Sequence, residues 1–366
     1  MQANIFNGKA VLVTGHTGFK GTWLSTCLSK LGADVIGISA DVPTNPSHFE
    51  VVKDSLQIDL RFDICELAKM KNAILEYKPE IIFHLAAQPI VFDSYNNPLN
   101  TFKTNVLGTG TVLEALRLAN YPCTAVLITS DKCYDNVEWT YGYRENDRLG
   151  GKDPYSGSKG ATELLIKSFF YSYFNLPSSN VCIGIARAGN VIGGGDWAPY
   201  RIVPDCVTAW SRNKLPEIRN PNATRPWQHV LEPLSGYLTL AASLHSQKEL
   251  NGEAYNFGPP ANQNYSVSEL IEEMKFHWSL SDWLDKSENN SMPKESGLLK
   301  LNCDKALHGL GWQPTLNFKE TAKWTAEWYK AFYNEGKEVA KDYTLKQIDE
   351  FVNLSISRKT SPLFIS

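Results

Sequence analysis

A chain of 366 residues with 43% hydrophobic content can bury one large core or two smaller ones, and a formal charge of -3 offers no basic face to a nucleic acid or other polyanion. No stretch approaches the ~18 apolar residues of a membrane span, and the N-terminus runs into Ala10-Val11-Leu12-Val13 without a cleavable signal pattern, so the expected location is the cytoplasm. The seven cysteines (Cys27, Cys65, Cys123, Cys133, Cys182, Cys206, Cys303) are scattered, odd in number and never spaced C-x-x-C, which points to neither a disulfide framework nor a metal site; Cys133 is the one expected to meet thiol reagents if the site is open.

Near-continuous apolar runs at 10–14, 34–39, 56–60, 80–86, 124–130 and 181–187 read as strands buried on both faces of a parallel sheet. After the first comes Gly15-x-x-Gly18-x-x-Gly21, then Phe19, Trp23, Leu24, Cys27, Leu28 and Leu31 at helical spacing, with Gly32 as the C-terminal cap. Glycines between strand and helix allow a tight turn, a close approach of backbone to pyrophosphate, and packing of helix on sheet. Thr17 and Phe19 lie inside that turn. The second strand ends at Ser39, with Asp41 two residues beyond as the acid that reaches a ribose. No Arg or Lys lies between Lys30 and Lys53, which favours NAD over NADP. Asp63 and Ile64 after the third strand suit the adenine edge. Leu85, Ala86 and Ala87 after the fourth suit ribose and phosphates, although Ala86 and Ala87 are equally small enough to be packing residues.

The fifth strand ends in Ser130-Asp131-Lys132, and the next helix opens with Asp153-Pro154-Tyr155, followed one turn later by Lys159. Asp153 is an N-cap acceptor and Pro154 suits the first helical position. Tyr155 then sits in the first turn, i, i+4 from a lysine, where the ammonium and the helix dipole are both expected to lower its pKa from about 10. Repeated β-α-β units predict an α/β fold, a doubly wound parallel sheet of the Rossmann type, with ligands at the carboxyl ends of the strands.

After about residue 188 the texture changes to Gly193-Gly194-Gly195, prolines and aromatics, a helix at 233–245, a short run from Ala254 to Gly258, and helices at 266–278 and 317–333. The expected organisation is a dinucleotide-binding domain over 1–188 with a contribution from about 226–258. A smaller, loop-rich substrate-binding region then covers 189–225 and 259–354. The polar stretch 279–297 reads as a loop or lid, and the tail 355–366 is expected to fray. Arg187, Asn190, Arg219 and Arg225 are candidate substrate anchors, since a diphosphate needs cationic, forked donors; Arg219 is equally readable as a solvated surface charge. His84 reads as a satisfied core histidine, and His229 is ambiguous.

These residues resemble the extended short-chain dehydrogenase/reductases over nearly the full length, with Ser130, Tyr155 and Lys159 in place of the catalytic trio. The strings Val13-Thr14-Gly15-His16-Thr17-Gly18-Phe19-Lys20-Gly21, Thr129-Ser130-Asp131-Lys132-Cys133-Tyr134-Asp135-Asn136, Gly189-Asn190-Val191-Ile192-Gly193-Gly194-Gly195-Asp196-Trp197 and Arg225-Pro226-Trp227-Gln228-His229-Val230 look like those of the CDP-glucose 4,6-dehydratases. The resemblance implies NAD as cofactor, CDP-glucose as substrate and a homodimer built on helices near 100–119 and 154–174. It also implies a division of labour. Tyr155 and Ser130 act at the C4 hydroxyl; Lys132, acting neutral, is the C5 base; Asp131, acting protonated, is the acid for the C6 hydroxyl. The alternative reading of Asp131 and Lys132 is a plain surface ion pair, which their place at a strand end flanked by Ser130 and Tyr155 disfavours. Gln88 and Glu295 are expected to touch the substrate, Glu295 through its ribose. The segment Met292 to Leu299 departs from relatives that carry histidine or aromatic residues there.

Overall fold

The computed structural model describes residues 4–53, 56, 58–278, 282–287 and 297–361. Its centre is a sheet of seven parallel strands: β1 (Ala10–Thr14), β2 (Asp34–Ser39), β3 (Ile58–Arg61), β4 (Ile81–His84), β5 (Cys123–Ile128), β6 (Val181–Ala188) and an edge strand, Ala254–Phe257. Across the sheet the order is edge strand, β6, β5, β4, β1, β2, β3. Every neighbouring pair is parallel. The strands carry the alternation that a sheet covered on both faces requires. In β1, Val11 and Val13 face one apolar core and Leu12 the other; in β4, Ile81 and Phe83 oppose Ile82 in the same way.

One face is covered by α3 (Leu67–Tyr77), α6 (Thr109–Ala119) and α7 (Pro154–Phe169), and the other by α1 (Phe19–Lys30) and α9 (Leu231–Ser246). Between the second and third strands lies α2 (His48–Val52); α4 (Val91–Asn96) and α5 (Pro98–Phe102) follow β4 and pack on α7. Beyond β6 come α8 (Ile202–Trp210), α10 (Val267–Lys275), α11 (Asp304–Leu310), α12 (Phe318–Glu335) and α13 (Lys337–Arg358). Capping boxes at Ser266/Glu269 and Asn317/Glu320 start α10 and α12 where the sequence pattern begins. Among the described residues no helix is long and apolar enough to cross a membrane.

Two expectations change. The tail does not fray as far as it is described: α13 runs to Arg358, Gln313 N donates to the Thr360 carbonyl at 2.9 Å, and Ser361 is buried against Thr239. The stretch 279–297 is not wholly loop, since Leu284–Asp285 pairs in parallel with Glu217–Ile218; its residues 279–281 and 288–296 lie outside the described set.

Candidate active site

The chain order of the strands reverses between β4 and β1, and in such sheets the ligand crevice opens at the carboxyl ends of that pair. Gly15 follows β1 there at φ +75°, and a Cβ on it would stand 2.8 Å from Ala86 N, just after β4. A Cβ on Gly21 would fall 2.0 Å from the Gly15 carbonyl, so the third glycine is what lets α1 approach the turn. Gly18, the N-cap of α1, has only the Gly15 carbonyl near its missing Cβ, at 3.4 Å. The arrangement leaves the helix N-terminus open to an anion and fits a dinucleotide pyrophosphate.

Around this cradle, Thr17 donates its hydroxyl to the Asp41 carbonyl at 2.6 Å and its N–H to Ser39 Oγ at 3.3 Å. Ser39 Oγ also meets His16 Nδ1 at 2.9 Å, while His16 Nε2 lies 2.9 Å from Asp59. The Asp41 side chain is exposed at the strand end. A cation does stand next to Ser39, namely Arg61 on β3, but it is tied to Asp59 at 2.8 Å and lies over the Phe49 ring. Asp63 accepts from Cys65 N and faces Lys103; those contacts, the Cys65 N–H first, hold its carboxyl below the usual range. Ile64 is buried against Gly108. Leu85 and Ala87 are half-buried in the segment that follows β4. His84 is satisfied on both sides, by Thr14 at 2.7 Å and Thr109 at 3.0 Å, and burial pushes its pKa down to about 3.

A cleft of about 740 Å³ continues from this crevice, within the range of small-molecule sites. Ser130, Asp131 and Lys132 line it from the end of β5, and Tyr155 from the first turn of α7. That turn is built as the sequence suggests, with Asp153 accepting from Ser156 N at 2.9 Å and Pro154 at the first helical position. Tyr155 hydrogen-bonds to Ser130, and Lys159 Nζ is 6.0 Å from the Tyr155 ring centre. The expected lowering of the phenol pKa is overturned. Burial pushes Tyr155 up to about 12 against the opposing Ser130 hydrogen bond, and burial brings Lys159 down to about 8.

Asp131 is not half of a surface ion pair. It is buried, accepts from Ser130 Oγ at 2.9 Å and from Asn190 Nδ2 at 3.4 Å, and lies against the Cα of Gly189, where any Cβ would be 1.9 Å from its carboxylate. Lys132 is half-buried in the cleft, its N–H held by Ser130 Oγ. Cys133, expected to be reactive, is fully buried, and burial raises its thiol well above the ordinary value.

The expected substrate anchors separate. Arg225 and Arg219 both line the cleft, Arg225 with Nη1 donating to the Thr224 and Gly297 carbonyls. Asn190 lines it too, at φ +52°. Arg187 does not. Its guanidinium is buried, donates to both Glu163 oxygens at 2.8 Å, and also reaches Tyr134 and the Glu145 carbonyl. A strand-end arginine next to candidate catalytic residues reads as an anchor in sequence, yet here it neutralises a buried glutamate. Gln88 is likewise committed elsewhere, to Ile90 N, Ile90 O and Thr101 Oγ1, shaping the turn that places Pro89 and Ile90 in the cleft. Glu295 lies outside the described residues.

Two cations in the cleft escaped the sequence reading. Lys20 faces Tyr237, with 3.4 Å between Nζ and the hydroxyl, and burial assisted by the charges of Lys159 and Arg201 lowers its pKa to about 7. Arg201 pairs with Asp196 at 2.7 Å and lies near enough to Tyr155 for its charge to favour the phenolate. Lys20 stands inside the glycine string, where a signal was present; Arg201 had none beyond its type.

The sequence matches the model of the family described as GDP-mannose 4,6 dehydratase over residues 12–325. It is 46% identical over 334 residues to a CDP-glucose 4,6-dehydratase of Salmonella typhimurium, covering 90% of this chain and 92% of that protein. Among solved structures it resembles a UDP-glucose-4-epimerase of Stenotrophomonas maltophila with bound NAD and formylated UDP-arabinopyranose, at TM-score 0.76 and 19% identity over 90% of this chain and 100% of the other. A dTDP-glucose 4,6-dehydratase of Bacillus anthracis in complex with NAD superposes at TM-score 0.73 with 21% identity, over 91% of this chain and 100% of that one.

Proposed function

The chain belongs to the GDP-mannose 4,6 dehydratase family, and we propose that it converts CDP-glucose to CDP-4-dehydro-6-deoxyglucose and water. The observation that carries this reading is the buried Asp131, side by side with Lys132 in the same cleft as Ser130 and Tyr155. Interconverting configurations at C4 requires no further acid and base; removing water across C5 and C6 requires both.

Held in the Gly15–Gly21 cradle, NAD would supply a hydride acceptor for C4 and, in its reduced form, a hydride donor for C6. The chain's own residues move the protons. Tyr155 takes the C4 hydroxyl proton, with Ser130 hydrogen-bonding the same oxygen. Of the groups on this chain that favour the phenolate against burial, the Ser130 hydrogen bond is the first and Arg201 the next. The resulting 4-ketone acidifies the C5 proton, which Lys132 removes and gives back to C5 when C6 is reduced. Asp131 delivers a proton to the C6 hydroxyl as it leaves; the contacts from Ser130 and Asn190 fix the carboxyl for that transfer. Arg225 and Arg219 are the proposed diphosphate holders, and Asn190 lines the same cleft as a partner of Asp131.

The substrate choice rests on the Salmonella relative, whose name specifies CDP-glucose. A homodimer is proposed through α5, α6, α7 and the turns that follow them, where Leu99, Leu107, Leu164 and Tyr171 are each more than half exposed on adjoining elements. All seven cysteines are free, which suits a reducing compartment such as the cytoplasm. The test is a panel of CDP-, UDP-, dTDP- and GDP-glucose with GDP-mannose, scored by loss of one water with no net NADH. CDP-glucose is expected to lead. Preference for another member would replace the nucleotide, and stoichiometric NADH release would remove the dehydratase reading.

A further inference from the structure

The cleft contains a contact that this chemistry does not use. Tyr200 sits at φ +64°, in the left-handed region, where a bulky side chain stays only if the surrounding chain dictates it. The chain on both sides is pinned. Trp197 donates Nε1 to the Tyr333 hydroxyl at 3.0 Å and lies among Trp328, Tyr329 and Phe332, while Arg201 is fixed to Asp196 and α8 starts at the next residue. From this loop the Tyr200 ring reaches Phe92, with ring centres 4.5 Å apart.

Phe92 belongs to the opposite wall. It is on α4, which packs on the Tyr155 helix and follows the turn shaped by Gln88. Both rings line the cleft, yet Tyr200 remains 47% exposed. A strained backbone and a half-wet ring contribute little to holding a fold together, but they do join two walls across an opening. The helix that carries Phe92 packs on the helix that carries Tyr155, and Arg201, the residue after Tyr200, lines the same cleft as Tyr155, which sets this bridge on the part of the cleft that Tyr155 borders.

We propose that Phe92 and Tyr200 form an aromatic clasp that closes over the hexose of the bound nucleotide sugar and retains the dehydrated intermediate until it is reduced; this rests on the dehydratase reading above. Between elimination and hydride return the sugar is an unsaturated ketone held through its nucleotide. Escape at that stage leaves the hydride on the cofactor, so the enzyme cannot begin another cycle until NADH is exchanged for NAD. Aromatic faces over the apolar edges of a hexose both exclude water and slow that escape.

The experiment uses the full chain with Tyr200→Gly, Tyr200→Phe and Phe92→Ala, and measures thermal midpoint, ligand affinity and NADH left behind during turnover. Tyr200→Gly is expected to keep or raise the thermal midpoint, because glycine adopts this φ freely. In a Tyr155→Phe background, where no turnover intervenes, it should bind CDP-glucose roughly 5- to 10-fold more weakly and CDP within about twofold of the parent, the loss of a stacked aromatic contact at one end only. In the active background it and Phe92→Ala should stall with NADH present and recover on added NAD. Tyr200→Phe, which keeps the ring, should recover most of the CDP-glucose affinity and clean turnover that Tyr200→Gly loses. Parental CDP-glucose affinity with clean turnover in Tyr200→Gly would overturn the clasp, as would parallel losses of midpoint, CDP and NAD affinity. If the unsubstituted enzyme dehydrates no nucleotide-hexose, the underlying function fails instead, and the CDP-glucose against CDP comparison still decides whether the rings grip the sugar.

Discussion

Gly189→Ala should disable the acid half of the reaction without replacing any group that does chemistry. Gly189 lies between β6 and Asn190, and its φ is outside the left-handed region, so the backbone itself accepts alanine. The obstacle is the Asp131 carboxylate. A Cβ at residue 189 would be 1.9 Å from Oδ2, 2.0 Å from Cγ and 2.4 Å from Oδ1. The carboxylate must therefore retreat by roughly 1.5 Å, the difference between 1.9 Å and an ordinary 3.4 Å contact. That breaks its alignment with Ser130 Oγ and Asn190 Nδ2. A misplacement of about 1 Å at a reacting group costs on the order of 10²-fold in rate, so dehydration should fall by at least that much. The overpacking itself should cost about 1–3 kcal/mol of stability. The assay pairs steady-state dehydration with single-turnover C4 oxidation, read as NADH absorbance, and repeats both in an Asp131→Ala background. There the clash has no partner, and Gly189→Ala should add almost nothing. Wild-type dehydration by Gly189→Ala would refute Asp131 as the positioned acid. Full additivity with Asp131→Ala would show that alanine acts through the fold rather than through the carboxylate.

Lys132→Met should leave C4 oxidation intact and slow elimination by about 10²- to 10⁴-fold, so that bound NADH accumulates in a single turnover and solvent deuterium enters C5 poorly; Tyr155→Phe should show neither signal. Dehydration at the parental rate by Lys132→Met would move the base elsewhere. Arg225→Ala should weaken CDP-glucose binding by about 1.5–3 kcal/mol in calorimetry with NAD affinity nearly unchanged, and equal losses for both ligands would assign Arg225 to the fold. Glu232, buried at the start of α9, accepts from Thr315 and Leu316 N–H groups, yet burial raises its pKa to about 8. Since the unfolded value is about 4.3, the protonated form favours the fold; its contribution is complete below that pH and is lost as pH rises to about 8. Denaturant unfolding from acid to neutral pH should show a steeper decline for the parent than for Glu232→Gln, and parallel curves would contradict this.

The sheet was legible because its strands are buried on both faces, which writes β1, β2 and β6 as apolar runs with nearly their observed bounds. Helix α13 was not legible. Its buried positions include Ala340, Thr344, Ile348, Phe351 and Ser355, a stripe at helical spacing but too small and polar to register as apolar. Within the site, Asp153-Pro154 and the glycine turn could be read because local geometry demands those residue types. Arg187 was misjudged because its partner, Glu163, is distant in sequence and nothing local reveals that a strand-end charge is already neutralised, whereas Gln88 turns back on its own loop at Ile90, a geometry its residue type does not announce. The approach of Arg201 to Tyr155 and the Phe92–Tyr200 contact depend on the same long-range folding, which brings the loop before α8 to the helices that carry Phe92 and Tyr155. The sign of the Tyr155 shift was missed for a related reason: spacing shows a lysine one turn away but not the depth of burial that raises the phenol.

The central claim is that one site oxidises C4, removes water and returns the same hydride to C6. CDP-glucose carrying deuterium at C4, turned over in ordinary water and examined by mass spectrometry and NMR, tests this most directly. The expected product is the 6-deoxy-4-keto sugar with the label on C6. Label recovered in released NADH, or a product without it at C6, would contradict the account.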